Sequence, residues 1–325
     1  MGKADLLVTG GAGFIGSHLA EALLKKGANV TVIDDLSTGS MENISRIEGN
    51  TNFSFVKGTV LDEKLMKQLV EKCDVIYHLA AAVGVKYVID NPIKSIEINV
   101  KGTEIVLKYA AENGKKVFLS STSEIYGKTE NGLFNEESDR IVGATTIGRW
   151  SYSFSKALDE FLCLAYYRET GLPIVIGRLF NTCGPRQTGK YGMVVPRFIK
   201  QALSNQPVTV YGDGLQTRSF CYVGDAVRAI IRLVEEPKAT GEVFNIGSEE
   251  AVTIENLAKK VIKKTGSNSK IVYIPYEKAY DTGFEDMRHR VPDITRIRNL
   301  IGYKPDYNLD AILEIIKNYE LGITN

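Results

Sequence analysis

Short apolar runs recur along the first half of the chain, at Leu6-Leu7-Val8, Val30-Thr31-Val32-Ile33, Phe53-Ser54-Phe55-Val56, Val75-Ile76-Tyr77-His78, Val117-Phe118-Leu119-Ser120 and Ile174-Val175-Ile176. Longer stretches with helical spacing of their apolar residues separate them. Near-continuous hydrophobic strands alternating with helices predict a parallel sheet covered on both faces, because such strands have no wet face that would call for polar residues. After about residue 180 the alternation lapses and Gly, Pro and Tyr become prominent, as in Cys183-Gly184-Pro185-Arg186 and Val210-Tyr211-Gly212-Asp213-Gly214. The pattern therefore predicts an α/β fold: a Rossmann-type doubly wound parallel sheet with a smaller C-terminal substrate-binding lobe. The expected division is a first domain over 1–180, also receiving a segment near 215–245, and a lobe over 181–325.

The first strand runs directly into Thr9-Gly10-Gly11-Ala12-Gly13-Phe14-Ile15-Gly16. Strand, tight glycine turn and helix in this order make a dinucleotide site. Gly10 supplies the turn conformation, Gly13 lets the backbone approach a pyrophosphate, and Gly16 lets the helix lie close on the sheet. The free N–H groups at the start of the helix, where Phe14 and Ile15 stand, then face the anion. A second strand ends in Asp34, at the distance expected for an acid that accepts hydrogen bonds from ribose hydroxyls. A carboxylate there repels the extra phosphate of NADP, and no Arg or Lys follows it directly in Asp35-Leu36-Ser37-Thr38-Gly39, so NAD is the expected cofactor.

Composition narrows the partners. The chain has 325 residues, a formal net charge of +1 and 44% hydrophobic residues, which is ordinary for a globular protein and gives no electrostatic reason to expect nucleic acid or an anionic membrane. Cys73, Cys163, Cys183 and Cys221 have neither metal-ligand spacing nor a secretory context, so reduced thiols, no metal and a cytoplasmic location are expected. No run is long enough for a membrane span, and the N-terminal apolar run is too short for a signal peptide.

In Ser151-Tyr152-Ser153-Phe154-Ser155-Lys156, the tyrosine and lysine stand four apart and share one helix face. An ammonium beside a phenol favours the phenolate, which is how a group ionising near pH ~10 can act as a base in neutral solution. Taken alone, the spacing suits an exposed amphipathic helix equally well. Phe154, Leu158, Phe161, Leu162 and Ala165 on this helix pack on the sheet or on a partner subunit, and a homodimer is expected.

With these motifs the chain resembles the extended short-chain dehydrogenases/reductases, specifically the nucleotide-sugar epimerases, dehydratases and decarboxylases. The resemblance covers nearly the whole chain. It implies that Val60, Leu79, Ala80, Ala81 and Asn99 lie beside the cofactor with the glycine loop, Asp34, Tyr152 and Lys156. It implies that Thr122 hydrogen-bonds the sugar 4-hydroxyl, Tyr152 takes its proton, and hydride passes to NAD+ to give a 4-keto sugar. Asn181, Arg218 and Arg290 fall where the diphosphate is held, and Tyr211 near the base or ribose. Arg178-Leu179-Phe180-Asn181 and Gly184-Pro185-Arg186 look like the family's substrate-side loop. Thr59 departs from the pattern, since relatives often carry an Asp there against adenine.

Thr122-Ser123-Glu124 bears on the branch. Deoxyglucose-type 4,6-dehydratases carry an Asp at the Ser123 position to protonate the departing hydroxyl, and simple 4-epimerases carry small or hydroxylic residues at the Glu124 position. Thr-Ser-Glu is what UDP-glucuronate decarboxylases carry, although GDP-mannose dehydratases share it. Arg149-Trp150 ahead of the Tyr152 motif, and the segment from Tyr280 through Arg290 to Ile294, also resemble decarboxylases, with Arg290 on the arginine that reaches the active site. Val83-Gly84-Val85-Lys86 looks more epimerase-like. The expected function is therefore a UDP-glucuronate decarboxylase forming UDP-xylose or a UDP-4-keto-pentose, with Thr122, Ser123, Glu124, Tyr152, Lys156 and Arg290 catalytic. The alternatives are a UDP-sugar 4-epimerase, a 4,6-dehydratase, and an NAD-binding regulator without catalysis.

Overall fold

The computed structural model describes residues 3–128, 132–189, 193–279 and 285–323. Residues 280–284 of the C-terminal segment and the side chains of Val85 and Lys86 lie outside that description.

Six apolar runs become strands β1 (Asp5–Thr9), β2 (Asn29–Asp34), β3 (Phe53–Lys57), β4 (Val75–His78), β5 (Lys116–Thr122) and β6 (Ile174–Leu179). They pair in parallel with a seventh strand, Glu242–Ile246, in the order Glu242–Ile246, β6, β5, β4, β1, β2, β3. The Rossmann-type doubly wound sheet expected from the pattern is thus present. Alternation along β1 sends Leu6 and Val8 into one apolar layer and Leu7 into the other, so helices cover both faces. The strand order reverses between β1 and β4. Ligands of such sheets bind in the crevice beyond the carboxyl ends of the strands at that point.

Chain beyond β6 builds a separate apolar cluster from the helices Val194–Leu203, Ile254–Thr265 and Leu309–Glu320, with Val208 and Val210 of a short strand. Between these elements the helix Val223–Glu235 returns to pack on α1 (Phe14–Lys25), and Glu242–Ile246 closes the sheet edge. Where the sheet and the lobe meet, a small cluster of Ile125, Tyr126, Phe134, Trp150, Phe180 and Met287 fills the space under the β5 loop. Trp150 and Tyr126 are completely buried there, which anchors the chain just after the Thr122-Ser123-Glu124 turn and at the start of the helix Trp150–Thr170.

Candidate active site

The loop after β1 shows why glycine is required. Gly10 has φ +70°, and a Cβ there would stand 2.8 Å from the Ala80 nitrogen, so the ends of β1 and β4 meet only because it has none. At Gly16 a Cβ would stand 2.2 Å from the Gly10 oxygen, so this glycine admits the loop itself rather than the sheet. No side chain caps α1, whose N-cap is Gly13, and no acid stands in its first turn. Its N-terminal N–H groups are thus left for an anion. Asp34 is buried at the end of β2, accepting from the backbone N–H of Ala12 at 3.0 Å and of Leu36 at 2.8 Å, and burial raises its pKa. Together these features fit a dinucleotide.

Neighbouring groups shape the same crevice. Thr9 Oγ1 accepts from the N–H of Leu79 at 3.2 Å and of Ala80 at 3.1 Å, and lies 2.8 Å from Nδ1 of His78. Val60 is buried below. Asn99 sits in a π-helical turn, Glu97–Lys101, where its Oδ1 accepts from Ala82 N–H at 2.8 Å and its amide donates to Ser155 at 3.3 Å. Its side chain therefore clamps the loop after β4 to the helix Trp150–Thr170.

At the end of β5, Thr122 caps the short helix Ser123–Tyr126, accepting from Glu124 N–H at 3.2 Å, and its hydroxyl hydrogen-bonds Tyr152. Ser123 is buried at that turn. Tyr152 and Lys156 sit in the first half of the helix Trp150–Thr170. Burial and then the Glu124 charge hold the Tyr152 phenol well above its ordinary range. Lys156 forms a 2.7 Å ion pair with Asp159.

Glu124 accepts from Arg290 at 2.8 Å and from Arg149 at 3.3 Å. Burial would raise its pKa, but the two guanidiniums outweigh burial, and the carboxyl sits below its ordinary range. Arg290 also donates to Asn181 Oδ1, and Asn181, in a left-handed conformation at φ +29°, donates to the Ser219 carbonyl at 2.8 Å. Arg218 pairs with Asp286 at 3.0 Å, Arg149 reaches the same carboxylate at 3.4 Å, and Tyr276 donates to it at 2.7 Å. Three guanidiniums thus face two carboxylates, leaving an excess of positive charge.

These groups line a cleft of about 160 Å³ with Thr182, Gln187, Tyr211 and Gln216. Tyr211 lies under the Arg197 guanidinium, 3.9 Å from the ring centroid. Thr182 Oγ1, Gln187 Oε1, Gln216 Oε1 and Arg290 Nε are buried without hydrogen bonds, polar capacity that an anionic, hydroxyl-rich ligand would satisfy. Thr122, Glu124, Tyr152, Arg290 and Asn181 therefore come together, with Arg218 and Tyr211 further along the cleft.

Two residues expected on the substrate-side loop turn elsewhere. Arg178 is buried against Glu160 at 2.8 Å and Tyr126, and Arg186 binds Glu21 of α1 at 2.6 Å, lining a separate groove of about 680 Å³ behind that helix. Conversely, Asp286, Tyr276 and Gln216 belong to the cleft although the sequence reading did not single them out. Arg149 carried a signal, since it precedes Tyr152 by three positions and so shares its helix face.

Comparison with known proteins agrees with this geometry. The chain matches the family model described as GDP-mannose 4,6 dehydratase over residues 7–316. It is 45% identical over 313 residues to a UDP-N-acetyl-alpha-D-glucosaminuronate decarboxylase of Bacillus cytotoxicus, covering 96% of each chain. It is 38% identical to UDP-glucuronic acid decarboxylase 4 of Arabidopsis thaliana over 92% of its own length, which spans 65% of that protein. A solved UDP-glucuronic acid 4-epimerase from Bacillus cereus, in complex with UDP-glucuronic acid and NAD, superposes with a TM-score of 0.88 at 31% identity, covering 98% of this chain and 100% of that one.

Proposed function

The chain belongs to the GDP-mannose 4,6 dehydratase family of extended short-chain dehydrogenases/reductases, and from that premise we propose that it removes the carboxylate of a UDP-linked uronic acid. It is an NAD-dependent nucleotide-sugar-modifying enzyme. UDP-glucuronate and its 2-acetamido analogue are the candidate substrates, giving the UDP-pentose or its 4-keto precursor. The observation that carries the reading is Glu124, ionised between Arg149 and Arg290 and close enough for its charge to act on Tyr152.

The glycine loop and Asp34 would hold NAD+, which when bound would supply the acceptor for hydride from the sugar C4. Thr122 orients the 4-hydroxyl and Tyr152 removes its proton, with the Lys156 ammonium favouring the phenolate. The resulting 4-keto group accepts the electron pair released as the bond from C5 to the carboxylate breaks; the carboxylate leaves as CO2, C5 takes up a proton from water to give the UDP-4-keto-pentose, and return of the hydride and proton to C4 would give the UDP-pentose. Arg290, whose terminal nitrogens meet Glu124 and Asn181 and whose Nε has no hydrogen bond, is the cation we assign to that carboxylate. Arg218 and Asn181 receive the diphosphate, and Tyr211 the base or ribose. The fold similarity to a UDP-glucuronic acid 4-epimerase supports the second reading, in which the keto sugar turns over and is reduced without loss of carbon.

Chromatography that resolves sugar-nucleotide isomers, coupled to mass spectrometry after incubation with NAD+ and a panel of sugar nucleotides, separates the two. Decarboxylation lowers the product mass by one CO2, dehydration lowers it by one water, and epimerisation leaves it unchanged. If both uronates return untouched while UDP-glucose becomes its isomer, the decarboxylase reading fails. Tyr152→Phe is expected to lower turnover by at least about a thousandfold with NADH binding retained, because it deletes the base and little volume.

We propose further that the enzyme works as a cytoplasmic homodimer. Phe154, Leu158 and Phe161 on the Trp150–Thr170 helix are 45%, 50% and 58% exposed, and Ile93 and Ile96 on the adjoining helix Pro92–Ile96 are 75% and 45% exposed. An apolar face of this kind is what a second copy covers.

A further inference from the structure

The helix that carries Tyr152 and Lys156 carries a third ionisable group on the same side. Asp159 follows Lys156 by three positions, and its carboxylate meets the ammonium at 2.7 Å with side chains 0% and 2% exposed. Removing two charges from water costs more than their attraction returns unless the geometry is very good, and apolar residues of similar size usually serve stability as well. Here the pair is not even fully satisfied. Thr103 is the only other group that offers Asp159 a hydrogen bond among the described residues, and it shares its single hydroxyl proton with the Asn99 carbonyl at 2.6 Å, so Asp159 Oδ1 is left without a full partner of its own. A costly, incompletely satisfied ion pair one turn from Tyr152 asks for a reason beyond packing.

We propose that Asp159 is a positioning residue for the base: it holds the Lys156 ammonium and partly neutralises it, and so limits how far Tyr152 is driven toward the phenolate. This rests on the assignment of Tyr152 as base and Lys156 as its electrostatic partner.

Asp159 is the carboxylate in direct contact with the ammonium. From β4 the neutral His78 faces the ammonium, its pKa lowered to about 3 by burial and then by Lys156. The helix Gly102–Glu112 contributes the uncharged Thr103, the π-helical turn contributes Asn99, and Glu160 and Cys163 follow Asp159 on the helix Trp150–Thr170. Glu124 and Arg290 face the phenol from the other side, with opposite signs, and Thr122 hydrogen-bonds it. The negative charge of Asp159 itself acts on Tyr152 in the direction that keeps the phenol protonated. An ammonium with its charge shared at 2.7 Å attracts the phenolate less than a free one does.

The test is the pH profile of kcat/KM, measured with the uronate that the product-mass experiment selects. Asp159→Asn keeps the shape and removes the charge, and Asp159→Ser removes the charge and leaves room for water. Both are expected to move the acid limb of the profile to lower pH by at least about half a unit, the low end of what one neighbouring charge does. Asp159→Glu keeps the charge and is expected to leave the limb where it stands in the wild-type enzyme. NADH titration and thermal melting establish that each variant is folded. A residue that merely packs would lower the rate at every pH alike, so an acid limb that is unmoved, or moved upward, in a folded neutral variant overturns the proposal. Tyr152→Phe is measured alongside. If it keeps near-normal turnover, the base assignment is what failed; if it is inactive and the limb in the neutral variants is unmoved, only the role of Asp159 falls.

Discussion

Asp34 joins two tasks that the sequence could show only as one. As an acid at the end of β2 it reads as a ribose acceptor, yet its carboxylate also receives the N–H groups of Ala12 and Leu36 and so shapes the loop that would carry the pyrophosphate. Asp34→Ala is therefore expected to weaken NAD binding by roughly tenfold or more, the value of a hydrogen bond to a charged group, and to remove most of the preference over NADP. Calorimetric titration with both cofactors checks it, and equal affinity of the wild-type protein for the two would sink the assignment. The buried His78 and the half-buried His18 give a second residue-scale expectation. His18 is lowered to about 4 by burial and then by Arg186, and His78 to about 3 by burial and then by Lys156. Both lie below the unfolded value of ~6.5, so the unfolded chain binds more protons in that interval. Their contribution to stability is full above pH ~6.5 and is lost as pH falls, by ~1.4 kcal/mol per unit for each histidine while the folded forms stay neutral. Asp34 and Asp159, raised by burial, act in the opposite sense nearer their own range, which leaves pH ~5 to ~6.5 as the informative window. Denaturant unfolding across it should show stability rising with pH; a flat profile would mean that these rings are charged in the fold.

At the scale of elements, the strand, loop and helix at the start of the chain were legible because every requirement is local: an apolar run, three glycines at fixed spacing, and an acid at the end of the next strand. The tyrosine and lysine four apart were legible for the same reason. In the ionic cluster around Glu124 the arginines were legible only through resemblance, and Asp286 and Tyr276 were not legible at all, because they reach the cleft only through the path of the lobe and no spacing rule links them to residues more than a hundred positions earlier. Asp159 was within range of the helix rule, yet an acid three after a lysine ordinarily reads as a solvated surface pair. The first unit makes its own prediction. Gly16→Ala would place a methyl 2.2 Å from the Gly10 oxygen, so NADH binding should be lost by fluorescence titration, with thermal stability falling as the loop is forced apart. The helix Trp150–Thr170 makes another through its outer face. Leu158→Glu with Phe161→Glu should convert the proposed dimer into a monomer by sedimentation velocity, and an unchanged sedimentation coefficient would show that the face is not the interface.

For the molecule as a whole, sheet and lobe are joined across the cleft by ionised side chains as well as apolar contact. Arg149 on one side is tied to Glu124 and to Asp286 of the C-terminal segment, with its own side chain 4% exposed. Arg149→Ala should cost about 3–5 kcal/mol of unfolding free energy, since two partly buried carboxylates would lose a cation, and a loss under about 1 kcal/mol in urea titration would show that the remaining arginines compensate. The order of the strands carries a further consequence, for synthesis on the ribosome. The chain leaves the sheet at Leu179 and does not lay down the strand that covers β6 until Glu242–Ile246. At roughly 5–20 residues per second, the nascent sheet waits several seconds with the N–H and C=O groups along one side of β6 unpaired. An uncovered strand edge is a template for pairing with other chains. Ribosome stalling or proteolytic nicking between residues 180 and 241 should therefore yield aggregates rather than a soluble first half, and that stretch is where a chaperone would find the growing chain most in need of cover.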